Sequence, residues 1–270
     1  MNNLELSGKV VAITGAGGVL GGAMARGLAA SGATLALLDR NRSKLESVNQ
    51  QIHQAGGKSE FFKCDVLDRE GLGAAFSKMV ESFGQVDALI NGAGGNRPGA
   101  TIQPDQQVFN LNLDDLRSVI DLNLLGTILP CLEMSKIMAS QRTGSIINIS
   151  SMAAQDPLTR VVGYSAAKSA IDNFTRWLAV ELAHKHGEKL RVNAIAPGFF
   201  IGEQNRDLLL EKDGSPTRRG QTILDHTPMN RFGKPEELVG VARWLCSEES
   251  SFVSGAIIPV DGGFSAWRGV

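Results

Sequence analysis

The chain has 270 residues, 43% of them hydrophobic and 20% charged, with a formal net charge of −1 at pH 7. That length accommodates one large α/β unit or two small domains with a substantial core, and one domain is expected because no Pro/Ser-rich linker or run of charge divides it. The near-zero charge offers no basic footprint to nucleic acid or to an anionic membrane, which leaves small soluble ligands as the expected partners.

Short apolar strands alternate with helices from Lys9 to Asp261. Val10 to Thr14 reads as a buried first strand, followed by a glycine-rich turn and a small-residue helix from Gly22 to Ser31 that Gly32 closes. Ala33 to Asp39 is the second strand. Ser43 is the expected cap of a helix running to Ala55, Gly56 and Gly57 stop it, and Ser59 to Cys64 is the third strand. Asp68 opens the next helix, and Asp87 to Asn91 is the fourth strand. A loop of about twenty residues, Gly92 to Leu111, then leads to one long helix ending before Arg142; a loop of that length beside a strand end is more often functional than structural. Ser145 to Ser150 is the fifth strand, Tyr164 to about Lys185 a helix, Leu190 to Ala196 the sixth strand and Ala256 to Val260 the seventh. The alternation predicts a doubly wound, Rossmann-type α/β domain: a seven-stranded parallel sheet with helices on both faces and ligands bound at its carboxyl edge.

Polar and glycine-rich positions gather at that edge. Gly15, Gly17, Gly18, Val19, Leu20 and Gly21 follow the first strand, where such a turn either brings backbone amides to a pyrophosphate or lets a helix pack closely on a strand. Asp39, 18 residues beyond Gly21 at the end of the next strand, favours the first use. Its carboxylate can accept both ribose hydroxyls and repel a 2′-phosphate, while Arg40 beside it offers that phosphate a partner. NAD(H) is therefore the expected cofactor and NADP(H) the second one the site could take; the alternative makes Asp39 a cap or turn residue. Asp65 and Val66 could meet an adenine, although an aspartate there equally caps the following helix. Asn91, Gly92, Ala93 and Gly94 would let backbone approach the cofactor, or simply serve a turn. Asn123 is an amide where helical periodicity expects core, and it is satisfied either by pinning a helix kink or by holding a water leading from Lys168.

Tyr164 and Lys168 lie one helical turn apart, with Ser151 thirteen residues before the tyrosine. A phenol titrating near 10 is a poor base at neutral pH, but one positive charge about 4 Å away at an effective dielectric near 20 supplies about 4 kcal/mol, enough to lower it by about three pH units. Taken alone, the pair is also what any amphipathic helix presents at its surface. The three cysteines, Cys64, Cys131 and Cys246, read as buried reduced thiols, and His53, His184, His186 and His226 do not form a metal set, so no metal is expected. The residues Met1 to Lys9 lack the apolar core of a signal peptide, and no stretch approaches about eighteen continuous apolar residues, so a cytoplasmic protein off the membrane is expected.

Together, Thr14-Gly15, Asn91-Gly92-Ala93-Gly94, Asn123, Ser151, Tyr164 with Lys168, and Pro197-Gly198 resemble the short-chain dehydrogenase/reductase family over essentially the whole chain. The resemblance implies an oxidoreductase with a catalytic tetrad. Tyr164 exchanges a proton with the substrate oxygen, Ser151 orients that oxygen, Lys168 binds the nicotinamide ribose and tunes the tyrosine, and Asn123 holds a relay water. It also implies that Pro197, Gly198 and Phe200 border the cofactor and that the chain is a homotetramer. Two positions depart from the family pattern: Val19 replaces a glycine of the turn, and Gly202 stands where a threonine often contacts the nicotinamide amide.

A narrower resemblance, to the D-mannonate oxidoreductase (fructuronate reductase) subgroup, rests on Gly94-Gly-Asn96-Arg-Pro, Pro197-Gly-Phe-Phe200, Gln204-Asn-Arg206, His226-Thr-Pro-Met and Asp261-Gly-Gly-Phe. It implies a sugar-acid substrate, D-fructuronate or D-mannonate, bound by Asn96, Ser151, Tyr164, Asn205 and Arg206 beneath a lid at about 199–231. Reduction of an apolar carbonyl, such as a 3-ketoacyl or steroid group, is the rival within enzymes. A non-catalytic dinucleotide-binding protein would be expected to lack part of the Ser151, Tyr164 and Lys168 set.

Overall fold

The strands are β1 (Val10–Thr14), β2 (Thr34–Asp39), β3 (Lys58–Lys63), β4 (Ala88–Asn91), β5 (Gly144–Ile149), β6 (Leu190–Pro197) and β7 (Ile257–Val260), the inner five largely buried on both sides and the edge strands β3 and β7 more exposed. They make one sheet in the order β3-β2-β1-β4-β5-β6-β7, with every neighbouring pair parallel. The order turns back between β1 and β4, the crevice where a doubly wound sheet binds ligands. The computed structural model describes residues 6–156, 158–202 and 205–267, so the residues before Leu6, and Gln204 within the lid, lie outside it.

The helices are α1 (Val19–Ala30), α2 (Arg42–Gln54), α3 (Arg69–Phe83), α4 (Leu113–Ile120), α5 (Gly126–Gln141), α6 (Val162–His186), α7 (Arg206–Leu209), α8 (Arg218–Asp225) and α9 (Val239–Cys246). Strand side chains alternate between two cores. Val11 and Ile13 pack with Met24 and Leu28 of α1, Leu45 and Ile52 of α2, and Leu245 of α9. Val10 and Ala12 face the other way, with Leu72 and Phe76 of α3, Met134 of α5 and Leu178 of α6. Such a two-sided apolar sheet is what fixes the parallel order, because slipping any strand by one residue would exchange its faces.

Three differences from the sequence expectations have local causes. Asn41, not Ser43, caps α2: its side chain accepts from Lys44 N–H at 3.2 Å, while Ser43 Oγ donates to Asn41 Oδ1 at 2.9 Å. The single long helix is divided by a π-helical turn over Asp121–Leu125. Pro130, inside α5, lacks the N–H that would continue the ladder there. The sequence reading also stopped short of α7, α8 and α9; the last packs so closely on α1 that a Cβ on Gly27 would lie 2.4 Å from Val239. The segment Leu113–Gln141 is long and apolar enough to cross a membrane by length and composition, yet Val119, Cys131, Met134 and Met138 within it are buried in the fold.

Candidate active site

The glycine turn is shaped by close approach. Gly15 has a φ of +67°, and a Cβ on it would lie 2.7 Å from Ala93 N, so only glycine lets the turn after β1 touch the chain after β4. A Cβ on Gly21 would sit 2.3 Å from the Gly15 carbonyl oxygen, which is how α1 comes to start directly against the turn. Gly18 caps α1 without a side chain, leaving the first amides of the helix, at Val19 and Leu20, to an external acceptor.

Asp39 ends β2 facing this turn: its Oδ2 accepts from Gly17 N–H at 3.2 Å and its Oδ1 from Asn41 N–H at 2.9 Å. It is thus a turn residue whose carboxylate is held in place at the end of β2, facing the glycine turn. Arg40 beside it is exposed. A cavity of about 330 Å³ opens here between Gly17, Gly18, Val19, Arg26, Lys44 and Ser47. Lys44, close enough that a Cβ on Gly17 would come within 2.7 Å of its own Cβ, was not legible in the sequence because nothing local marks it. The open amides, the glycine cradle and the oriented carboxylate fit a dinucleotide.

Around the rest of the cradle the picture is mixed. Asp65 Oδ1 accepts from Leu67 N–H at 2.9 Å, stabilising the turn, and Asp68 caps α3 by accepting from Gly71 N–H at 3.0 Å. Val66 is buried against Gly126. The Asn91 side chain turns away from the crevice: its Nδ2 donates to Asn148 Oδ1 at 2.9 Å and to Cys131 Sγ at 3.1 Å, inside the core. Strand alternation turns it that way, with Leu89. Only Gly92, Ala93 and Gly94 beyond it offer backbone; Ala93 N–H is itself taken by Thr14 Oγ1 at 3.3 Å.

At the other side of the crevice, Pro197 ends β6, and a Cβ on Gly198 would strike Asp261 Cα at 2.7 Å. Phe200 is buried against Gly233. The two departures from the family pattern are neighbours, since a Cβ on Gly202 would lie 3.8 Å from Val19 Cγ2. Asn205 is engaged in its own turn: its Oδ1 accepts from Gly202 N–H at 2.8 Å and its Nδ2 donates one hydrogen to the Phe200 carbonyl at 2.9 Å, which leaves part of the half-buried amide able to meet a ligand. Arg206 is exposed at the start of α7. Asn96 donates to Thr101 Oγ1 at 2.9 Å, and its buried Oδ1 has no partner among the described residues.

Ser151, Tyr164 and Lys168 come together where β5 ends and α6 begins. The Tyr164 hydroxyl shares a hydrogen bond with Ser151. Lys168, only 3% exposed, donates from Nζ to the Ile149 carbonyl at 2.7 Å and lies 5.6 Å from the Tyr164 ring centre. The electrostatics differ from the sequence estimate. Burial raises the Tyr164 phenol above its ordinary value, with the Ser151 bond only partly opposing it. Burial also lowers Lys168 to about 8, against which the carboxylate of Asp172, one turn on, pulls upward. A charge removed from water costs more here than the neighbouring charge returns, so the chain by itself holds Tyr164 as a proton donor. Asp172 is in turn buried and accepts a hydrogen bond from Ser150.

Asn123 sits in the π-helical turn, wholly buried. Its Nδ2 donates to Gly95 O at 2.7 Å and to Val119 O at 2.8 Å, and its Oδ1 accepts from Gly95 N–H at 3.1 Å. Both amide hydrogens are used, so of the two roles weighed for this side chain the structure favours pinning: it ties the loop after β4 to the break between α4 and α5. Its own carbonyl accepts from Thr127 Oγ1 at 2.9 Å.

A family model described as enoyl-(acyl carrier protein) reductase matches residues 15–265. An uncharacterized oxidoreductase of Haemophilus influenzae is 46% identical over 279 residues, covering 99% of this chain and 97% of that protein. A crystal structure from Haemophilus influenzae, provisionally described as a D-mannonate oxidoreductase with bound NAD, is 45% identical and matches with a TM-score of 0.90 over 98% of each chain. The 3-oxoacyl-[acyl-carrier-protein] reductase of Thermotoga maritima is 34% identical over 260 residues, 96% of this chain and 99% of that one.

Proposed function

Because the chain belongs to the short-chain dehydrogenase/reductase family, and is thus an NAD(P)-dependent oxidoreductase, we propose that it interconverts a ketone and a secondary alcohol on a sugar acid, with D-fructuronate and D-mannonate as the leading pair and NAD(H) preferred. The observation that carries the reaction type is the Ser151, Tyr164 and Lys168 cluster at the carboxyl edge beside the glycine cradle. The nicotinamide, when bound, supplies or accepts the hydride. Ser151 Oγ holds the substrate oxygen beside Tyr164, and the Tyr164 hydroxyl gives its proton to that oxygen in reduction or takes it in oxidation. Lys168 Nζ, anchored on Ile149 O, keeps a positive charge near the phenol below about pH 8. Gly17, Val19, Leu20 and Asp39 hold the dinucleotide end.

The sugar-acid substrate is supported by the 45% identical structure provisionally described as a D-mannonate oxidoreductase, by the buried Asn96 Oδ1 without a partner among the described residues, and by a lid over 199–231 that carries Arg206, Arg218, Arg219 and His226. A 3-ketoacyl substrate would be better served by an apolar lid. Exposed Leu125, Trp177 and Val180 support the homotetramer as part of the same proposal. Initial rates with uronates, aldonates and ketoacyl thioesters, each with NADH or NADPH for the ketones and NAD or NADP for the alcohols, test the reading. The highest kcat/KM is expected for D-fructuronate with NADH; activity confined to ketoacyl thioesters would overturn it.

A further inference from the structure

Two guanidinium groups come near each other at the segment that joins Ser151 to Tyr164. Arg160 lies four residues before Tyr164 in the segment joining β5 to α6, and its φ of +78° is one that a non-glycine residue seldom adopts. It is fastened to the long loop after β4: Nε donates to the Ile102 carbonyl at 2.9 Å and Nη2 to Gln103 Oε1 at 2.5 Å, and Ile102 N–H donates back to the Arg160 carbonyl at 3.0 Å. Arg219 arrives from the lid helix α8, and its Nη1 donates to Thr159 Oγ1 at 3.3 Å, immediately beside Arg160. Both arginines are half-buried. Among the described residues neither forms an ion pair with a carboxylate.

Like charges gathered with no ion-paired acid among the described residues, in backbone that is itself strained, are an arrangement that costs stability and persists where function uses it. The repulsion is felt: burial and, after it, the neighbouring Arg160 hold the Arg219 guanidinium below its ordinary range. An anion placed between the two would relieve the repulsion and accept paired, charge-assisted hydrogen bonds. Arg206 stands elsewhere. It begins α7 where its N–H donates to Gly202 O at 3.0 Å, beside Val19 and the glycine turn.

We propose that Arg160 and Arg219 together bind the carboxylate of the substrate, joining the loop after β4, the segment before Tyr164 and the lid around one anion. The inference rests on the sugar-acid reading and replaces Arg206 as the residue pair that recognises the acid. The strained Arg160 backbone then serves to present a side chain beside the lid, and the acid group supplies a counter-charge that no ion pair among the described residues gives the two arginines.

The test compares the parent with Arg219→Gln, Arg219→Lys, Arg160→Lys and Arg206→Ala on D-fructuronate and on an uncharged ketose, with NADH binding and thermal melting as controls. Arg219→Gln is expected to lower kcat/KM on D-fructuronate by about ten- to a hundredfold, chiefly through KM, while the uncharged ketose changes by less than about threefold. Arg219→Lys keeps the charge but loses the fork, and is expected to recover only part of the loss. Combining Arg219→Gln with Arg160→Lys should cost less than the product of the single losses, as for two groups on one carboxylate. Equal losses on both substrates, or a carboxylate-selective loss confined to Arg206→Ala, would overturn the clamp while leaving the sugar-acid reading standing. A parent that turns over the ketose and no sugar acid would overturn both.

Discussion

Replacing Asn123 by alanine separates the two roles open to that residue. The side chain is 0% exposed and makes three hydrogen bonds, to Gly95 O, Gly95 N–H and Val119 O. At about 1 kcal/mol net for each, the loss comes to about 3 kcal/mol, and somewhat more if the Gly95 groups stay dry and unpaired. For a chain of this size that corresponds to a fall in Tm of about 6–12 °C. Melting followed by circular dichroism, with kcat measured below the transition at saturating NADH, reads both quantities. Because the amide pins the loop carrying Gly94 against Lys168, a moderate loss of kcat should accompany the lower Tm. An unchanged Tm with turnover lost by about a hundredfold would refute the pinning role and return the amide to the proton path.

Asp39→Ala removes the carboxylate that Gly17 N–H and Asn41 N–H hold in place; kcat/KM should fall with NADH and change little or rise with NADPH, as coupled initial rates will show. The Lys168 ammonium is lowered to about 8, so kcat/KM for reduction should decline as pH rises through about 8, and Lys168→Met should abolish that limb. Linkage gives a second reading. Between about 8 in the folded chain and the ordinary value of 10.5, the unfolded chain holds a proton that the folded chain has released, so stability should rise with pH across that window in the parent and lose this component in Lys168→Met. Denaturant melts at several pH values check it. Light scattering should give the mass of four chains, and a monomer would remove the homotetramer.

The strands were legible because most are short apolar runs bounded by glycine, aspartate or asparagine, and their ends fell within one or two residues of the observed ones. The places of Gly15, Asp39 and Ser151 were legible because each stands at a strand end, and that of Tyr164 because it stands one helical turn before Lys168. The site was not legible where a side chain's direction depends on partners distant in sequence. That the Asn91 side chain turns into the core follows only from its neighbour across the sheet, Asn148, which accepts from its amide. The Tyr164 and Lys168 charges were judged from their spacing, which carries no measure of burial; desolvation then decided both directions. Arg160 escaped notice for the same reason, since its pairing with a lid residue 59 positions later exists only in three dimensions.

The central claim is that Tyr164 passes the proton in a ketone–alcohol interconversion on a sugar acid. Its most direct measurement is kcat for NADH-dependent reduction of D-fructuronate by the parent and by Tyr164→Phe, with NADH affinity determined for both. The account predicts turnover by the parent, a fall of about 10² to 10⁴ in the variant and unchanged NADH binding. Near-normal turnover by Tyr164→Phe would contradict it.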